Sequence, residues 1–168
     1  MSTFFRRSAF GASLAVAAIA GFGFNASQAL ATPPPPPPSA CGISGSSGTI
    51  AQADSTAGHT HYRVTLTANE GTSACTLSGW AVEPTFFLGK SPVDVQPQPY
   101  GQPEDVAFGP GSPVHFDVQV PNSGDADPAD RVIFELPELD GPEGTNGWAV
   151  GDIAVGAGTQ IGPIQPGA

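Results

Sequence analysis

Two histidines separated by a single residue, His59 and His61, are the side chains of this sequence best suited to binding a metal ion. If this segment is a β-strand, alternate residues project from one face, and both imidazoles could reach one ion. Zinc and copper sites use three or four nitrogen, sulfur or oxygen ligands, and His115 or an acidic residue could supply the third. His59, His61 and His115 are therefore the candidate ligands of a zinc or copper site. The spacing of two histidines alone is more typical of a pair of exposed histidines at a strand edge, which is the favoured interpretation.

Three aspartates, Asp125, Asp127 and Asp130, have part of the spacing of a calcium-binding loop. A complete EF-hand loop needs glycine at its sixth position and glutamate at its twelfth. This sequence has Asp130 and Leu136 at those positions. The residues therefore favour a solvated acidic loop.

Residues for covalent or acid–base catalysis do not form a recognisable motif. The sequence has no Gly-x-Ser-x-Gly elbow and no glycine-rich phosphate loop, and no spacing around its three histidines indicates a triad. Nothing singles out a pair among the 15 acidic residues for glycoside hydrolysis. We therefore expect a protein that is not an enzyme and that carries no cofactor.

The first residues of the chain, 1–31, have the three parts of a secretory signal peptide. Arg6 and Arg7 precede an apolar stretch over residues 9–24, and a small-x-small cleavage site ends at Ala31. The apolar stretch is shorter than the roughly 20 residues that span a bilayer. The arginine pair fits twin-arginine export as well as general secretion. We predict a secreted protein, extracellular or at the cell envelope, without a stable membrane anchor after cleavage.

A run of six prolines, residues 33–38, follows this segment. Consecutive prolines adopt the polyproline II helix, which rises about 3.1 Å per residue and makes a semi-rigid spacer of roughly 19 Å here. Residues 32–40 are therefore predicted to be a linker that holds a folded domain away from the cell surface. The alternative is a ligand for an aromatic groove.

The remaining chain is strongly acidic. After cleavage at residue 31, three basic residues stand against all 15 acidic ones, which gives a net charge of −12. Such a surface repels phosphate backbones and anionic lipid, so nucleic acid is not an expected partner.

Both cysteines, Cys41 and Cys75, remain in the mature chain. Two cysteines in an exported protein are most simply one disulfide. The bond would close a loop of about 35 residues, which contributes about 3–4 kcal/mol on the chain-entropy model.

The mature chain alternates between short apolar stretches and turns rich in glycine and proline. Residues 61–67 and 114–120 alternate apolar and polar side chains, which predicts two half-buried strands. Pro84 interrupts the apolar stretch over residues 80–88, and this places that segment at an edge, a bulge or a break in a strand. Further short strands are predicted around residues 93–95, 106–108, 132–136, 148–150 and 153–155.

This spacing of strands predicts an all-β fold. We expect residues 41–158 to form an antiparallel immunoglobulin-like β-sandwich of about seven strands, with a small β-barrel as the alternative. Residues 159–168 are predicted to be a tail rich in glycine and proline.

A motif around the second cysteine resembles a known family. Asn69, Gly71, Cys75, Leu77 and Gly79 fill the pattern Asn-x-Gly-x-x-x-Cys-x-Leu-x-Gly in register. With the preceding Gly-x-x-x-Tyr-x-x-Thr-Leu-Thr-x-Asn strand, these residues resemble the secreted actinobacterial domains of unknown function numbered 4232. The resemblance implies an exported β-sandwich with a bridge between Cys41 and Cys75, and it implies no activity. Members usually have a second cysteine pair in the later half, which this chain lacks.

The sequence therefore predicts an exported, non-catalytic β-module, which binds a protein, a cell-wall polymer or a small ligand. The rival hypothesis is a zinc- or copper-binding protein, or a metal-dependent enzyme, that uses the three histidines.

Overall fold

The computed structural model describes residues 33–42, 44–139 and 145–168, and these residues form strands and turns but no helix. The all-β prediction is confirmed, whereas the predicted signal peptide lies outside the described residues. Accordingly, no helix in these ranges is long and apolar enough to cross a membrane. The strands are β1 Ser46–Gln52, β2 His59–Ala68, β3 Cys75–Ser78, β4 Val82–Leu88, β5 Ser91–Pro92, β6 Gln98–Pro99, β7 Asp105–Phe108, β8 Val114–Pro121, β9 Ala126–Glu135, β10 Asn146–Gly156, β11 Gln160–Ile161 and β12 Gln165–Pro166.

One large sheet dominates the architecture and curves into a half-barrel. Its strand order is β5-β4-β9-β10-β1-β2-β8-β11-β6, and β12 also pairs with β8. A separate two-stranded sheet consists of β3 and β7. The curved sheet therefore has two ends, β5-β4 and β11-β6, which do not pair with each other.

The pairing is mixed, which corrects the expectation of a wholly antiparallel fold. β1 runs parallel to β10, and β11 runs parallel to β6, while the other ladders are antiparallel. The finer prediction of an immunoglobulin-like sandwich is not confirmed, because ten strands lie in a single sheet.

β1 depends on glycines that let it approach β10 closely. A Cβ at Gly48 would collide with the backbone oxygen of Trp148, and a Cβ at Gly151 would collide with that of Ile50. Gly151 also has a φ of +149° and lies at the register shift of β10. Glycine is the residue that permits such contact between backbones.

The core lies on one face of the large sheet, where alternate side chains of its strands are buried. Phe116 of β8 and Phe134 of β9 meet edge to face, with ring centroids 5.1 Å apart. Leu77 and Phe108 of the small sheet are also fully buried. Each such side chain contributes about 1.5–3 kcal/mol by leaving water.

The last residues of the predicted linker belong to the folded unit. The Pro38 carbonyl accepts the N–H of Ser73 at 2.7 Å, and the Ser73 carbonyl accepts the N–H of Ala40 at 2.7 Å. Ala40 and Cys41 are fully buried, and Cys41 is bonded to Cys75 with Cα atoms 6.1 Å apart. The predicted disulfide is therefore confirmed, and ordered structure begins before residue 41.

The predicted tail is also part of the fold. β11 and β12 both pair with β8, and Ile164 between them is only 2% exposed. Glycine and proline in this segment therefore do not mark an unstructured end. Here they separate two very short strands.

Candidate functional site

A cleft of about 1030 Å³ lies where both ends of the large sheet contribute to one cavity. The first half of β4 and the segment that follows β5 line one part, and Pro99 of β6 and Ile161 of β11 line another. We call it the seam cleft. It is lined by residues 78–85, 92–97, 99, 103, 137 and 161. Its volume is at the upper end of the roughly 300–1,000 Å³ that is typical of ligand pockets.

Apolar side chains and prolines make up most of the lining. The apolar residues are Trp80, Ala81, Val82, Val93, Val95 and Ile161. The prolines are Pro84, Pro92, Pro97, Pro99, Pro103 and Pro137. Proline has a backbone carbonyl and no N–H, so this lining offers more hydrogen-bond acceptors than donors.

A β-bulge shapes the β4 wall of the seam cleft. Val82 pairs with Glu135 of β9 and Thr85 with Ile133, so that Glu83 and Pro84 together lie opposite a single residue. Glu83 has a φ of +47°, the only positive value among the described residues that are not glycine. The sequence predicted an edge, a bulge or a break at Pro84, and the bulge is confirmed. Backbone strain of this kind is concentrated at functional sites.

Trp80 is fixed at the rim of the cleft by hydrogen bonds to other segments. Its indole N–H donates to the carbonyl of Tyr100 at 2.8 Å, and Ile164 donates its N–H to the carbonyl of Gly79 at 2.9 Å. Because the indole N–H is already bonded, Trp80 presents its apolar ring surface to the cleft.

The charges of the seam cleft are all negative. Glu83 and Asp94 are its only ionisable side chains, and both residues are exposed. In the parts of the chain that the structure describes, neither carboxylate is in a salt bridge, since the only pair within 4.0 Å is Arg63 with Asp117. The cleft therefore combines an apolar surface with two uncompensated carboxylates.

Tyr100, which adjoins the cleft through Trp80, has a pKa above its usual value of 10.0. Burial is the main cause, the charge of Asp117 adds to it, and a hydrogen bond with Gln119 opposes it. The phenol is therefore neutral at physiological pH and acts as a hydrogen-bonding group.

A second hollow of about 540 Å³ lies on the outer face of β2 and β8 and is lined in part by His61 and Arg63. Arg63 Nε lies 3.5 Å from Asp117 Oδ1, and its Nη1 donates to the carbonyl of Ala168 at 3.4 Å. Because Arg63 and Asp117 are paired with each other, this hollow is a weaker candidate for a binding site than the seam cleft.

The structure brings two of the three predicted metal ligands near each other. His59 and His61 both lie in β2, with ring centroids 6.5 Å apart. His61 Nε2 is 2.8 Å from the hydroxyl of Thr56, so one of its ring nitrogens already has a partner.

His115 is not brought to this pair. It lies in β8 opposite Thr65, four residues from Gln119, which is opposite His61. Four residues correspond to about 13 Å along a strand. His115 is buried, and its Nδ1 lies 3.1 Å from the carbonyl of Gly167. Within residues 33–42, 44–139 and 145–168, no three His, Cys, Asp or Glu side chains are placed to hold a metal ion.

The three aspartates of the acidic segment do not converge either. Asp125 and Asp127 are exposed, and β9 begins at Ala126, so that much of the predicted loop is a strand. Asp130 accepts the backbone N–H of Gly89 at 2.8 Å and so fastens the turn between β4 and β5.

A family model described as "Domain of unknown function (DUF4232)" matches residues 41–160, which is more than half of the chain. The chain belongs to this family. The resemblance that the sequence suggested is therefore confirmed. No curated protein and no solved structure matches the chain. Of the residues that line the seam cleft, all but Ile161 lie within the matched part of this DUF4232 domain.

Sequence reasoning missed the seam cleft of the DUF4232 domain. It pointed to histidines and aspartates, whereas the cleft is built from prolines, valines and one tryptophan. Two signals were present: Pro84 within an apolar stretch, and the proline-rich segment from residue 97 to residue 103. Neither reveals that both segments lie at one cavity, because this depends on how far the sheet curves.

Proposed function

We propose that this DUF4232 domain is an exported, non-catalytic binding module and that the seam cleft is its binding site. The observation that supports this most directly is the cleft itself, with its apolar lining and few polar groups. Clefts of this composition are the usual binding sites for ligands. The domain acts in the extracellular space or at the cell envelope.

The chemistry of the lining supports binding rather than catalysis. Ser78 and Thr85 are the only residues with hydroxyl side chains that line the cleft. No histidine lines it to act as a base, and no cysteine lines it to act as a thiol nucleophile.

The location outside the cytoplasm is supported by the disulfide. Cys41 and Cys75 are bonded, and such bonds persist in oxidising compartments. The predicted signal over residues 1–31 agrees with this location, as does the acidic composition of the remaining chain.

Binding at the cleft is tested with the neutral apolar dye N-phenyl-1-naphthylamine, whose fluorescence increases in apolar surroundings. We expect the disulfide-bonded protein to bind the dye, and we expect Val82→Lys to weaken that binding at least about tenfold, because a charge then enters the apolar lining. Val150→Lys is the matched control, because Val150 has similar exposure, 46% against 42%, and does not line the cleft. Equal binding by both variants would contradict the proposal.

Export is tested separately by expressing the full chain in a bacterium with a general-secretion and a twin-arginine pathway. We expect the protein in the periplasmic or extracellular fraction, with Thr32 as its first residue. A variant with phenylalanine at both Ala29 and Ala31 removes the small-x-small site and should stay unprocessed. Retention of the unaltered chain in the cytoplasm would contradict export.

The rival function is metal binding at His59 and His61, which the proximity of their two rings favours. A metal that binds only the folded protein raises the melting temperature by mass action. An increase with zinc or copper that is lost in His61→Ala would support this rival. An unchanged melting temperature with both metals would exclude it.

A further inference from the structure

The first half of β4 has an unpaired backbone edge that faces the seam cleft. On one side β4 pairs with β9, and on the other side β5 pairs only with Phe87 and Leu88. The next bond on that side runs from the N–H of Val93 to the carbonyl of Phe86. In the described parts of the chain, no strand therefore covers the second side of β4 from Val82 to Thr85. Unpaired strand edges accept extended peptides, and Pro84 and the bulge limit the pairing here to this short segment.

The backbone acceptor that this edge leaves free is the carbonyl of Pro84. The Phe86 carbonyl points away from β9, because it accepts a bond from the other side. By the alternation of a strand, the carbonyl of Pro84 points the same way, and proline has no N–H to donate. Six of the 18 residues that line the cleft are prolines. The cleft therefore suits a ligand that is rich in N–H donors.

The ionisable groups select the charge of that ligand. Glu83 and Asp94 line the cleft, no lysine, arginine or histidine does, and neither carboxylate is in a salt bridge among the described residues. A cationic side chain would gain charge-assisted hydrogen bonds there, and the ring of Trp80 provides a surface for cation–π contact. The overall charge of −10 would attract a basic partner from a distance.

We propose that the seam cleft binds an extended, basic peptide segment of a partner protein, which adds as a strand along β4 from Val82 to Thr85. The peptide backbone donates an N–H to the Pro84 carbonyl, its lysine or arginine side chains bind Glu83 and Asp94, and its apolar side chains contact Trp80 and the valines. This inference rests on the proposed function, because it names the ligand class of the same cleft.

The test uses isothermal titration calorimetry with the disulfide-bonded protein and acetyl-Val-Lys-Val-Lys-Val-amide. The matched peptides have glutamine in place of lysine, or N-methyl groups on alternate amides. We expect the lysine peptide to bind at least about tenfold more tightly than either matched peptide, and its affinity to fall as sodium chloride is raised.

The variant Glu83→Gln with Asp94→Asn should weaken binding of the lysine peptide at least about tenfold. Asp127→Asn with Asp152→Asn is the matched control, because it removes the same charge from exposed positions outside the cleft and should leave the affinity within about twofold. Equal effects of the two double variants would mean that only net charge matters, and this would overturn the proposal.

Other outcomes would also overturn it. Tight binding of the glutamine peptide would exclude recognition of charge, and tight binding of the N-methylated peptide would exclude strand addition. Displacement of the peptide by 1,5-diaminopentane at equal charge concentration would mean that the cleft binds amines rather than peptides.

If N-phenyl-1-naphthylamine binds at the cleft and the lysine peptide does not, this inference fails while the proposed function stands. If neither binds, both fail.

Discussion

Glu83 is the residue at which the wall of the seam cleft departs most from regular strand geometry. A glutamate with a φ of +47° lies in the left-handed region, which disfavours side chains and excludes most β-branched ones. It lies in the bulge opposite β9, directly before Pro84, whose own φ is fixed by its ring.

We therefore expect Glu83→Val to lower the free energy of unfolding by at least about 1 kcal/mol. Thr85→Val is the control, because Thr85 is an exposed residue with a regular partner in β9, where valine suits the strand. Urea denaturation compares the two variants. A loss for Thr85→Val as large as that for Glu83→Val would contradict the assignment of strain to position 83.

Tyr100 gives the domain a dependence on alkaline pH. Burial first, and then the charge of Asp117, raise its pKa above 10.0 in the folded protein. As the pH rises past 10, the unfolded chain loses this proton first, so the unfolded state binds fewer protons and the free energy of unfolding falls. Below pH 10 both states keep the proton, and the stability is unaffected by this group.

Tyr100→Phe removes this ionisation. Between pH 9.5 and 11, we expect the free energy of unfolding of the variant to fall less steeply with pH than that of the unaltered protein. The difference between the two slopes corresponds to the release of at most one proton on unfolding. Urea denaturation at several pH values measures this slope. Identical slopes for the two proteins would show that Tyr100 does not ionise differently on unfolding.

At the scale of elements, β11 and β12 are strands that form through their partner and not through a pattern of their own. Each has two residues, and both are held by β8, whose own alternation is regular. Ile164 anchors the segment between them in the core at 2% exposure. The stability of this end of the chain therefore comes from tertiary contacts.

Ile164→Ala should lower the free energy of unfolding by about 2–5 kcal/mol, because it leaves a cavity in the core. Gln165→Ala is the control, since Gln165 is exposed, and it should change the free energy by no more than about 0.5 kcal/mol. Chemical denaturation distinguishes them. No loss for Ile164→Ala would mean that residues 159–168 are a tail that adds nothing to the stability of the fold.

The elements that sequence could predict are those with a regular pattern. β2 and β8 alternate apolar and polar residues over their length, and their pairing buries Val64 and Phe116 on one face. β1 has no strand pattern in the sequence, because its two serines and one glycine are typical of loops, although Gly48 allows close contact with β10. Parallel pairing of β1 and β10 has no local signature at all.

The seam cleft was beyond prediction for a related reason. Its residues carry no catalytic or metal-binding motif, and they come from segments more than 70 residues apart, such as β4 and Ile161. Pro84 indicated the bulge, because a residue without a backbone N–H interrupts the ladder of hydrogen bonds at its own position. The cavity, in contrast, depends on the curvature of the entire sheet.

For the whole molecule, the disulfide links the start of the folded unit to the small sheet. Cys41 and Cys75 are 34 residues apart in sequence, and β1 and β2 lie between them. The bond therefore restricts the unfolded chain across the two strands that lie beside β10 and β8 in the large sheet. A domain of this size has about 5–15 kcal/mol of stability in total, so the bond accounts for a large share of it.

Cys75→Ser should lower the free energy of unfolding by about 4 kcal/mol, because the unfolded chain regains the freedom of that loop. Reduction of the unaltered protein with dithiothreitol should reproduce the loss, and the variant should no longer respond to the reductant. Urea denaturation with and without reductant measures both effects. If they agree, the domain has a large share of its stability only in an oxidising compartment, and this links its fold to the export that we propose. An unaltered protein whose unfolding is the same in the reductant would break that connection.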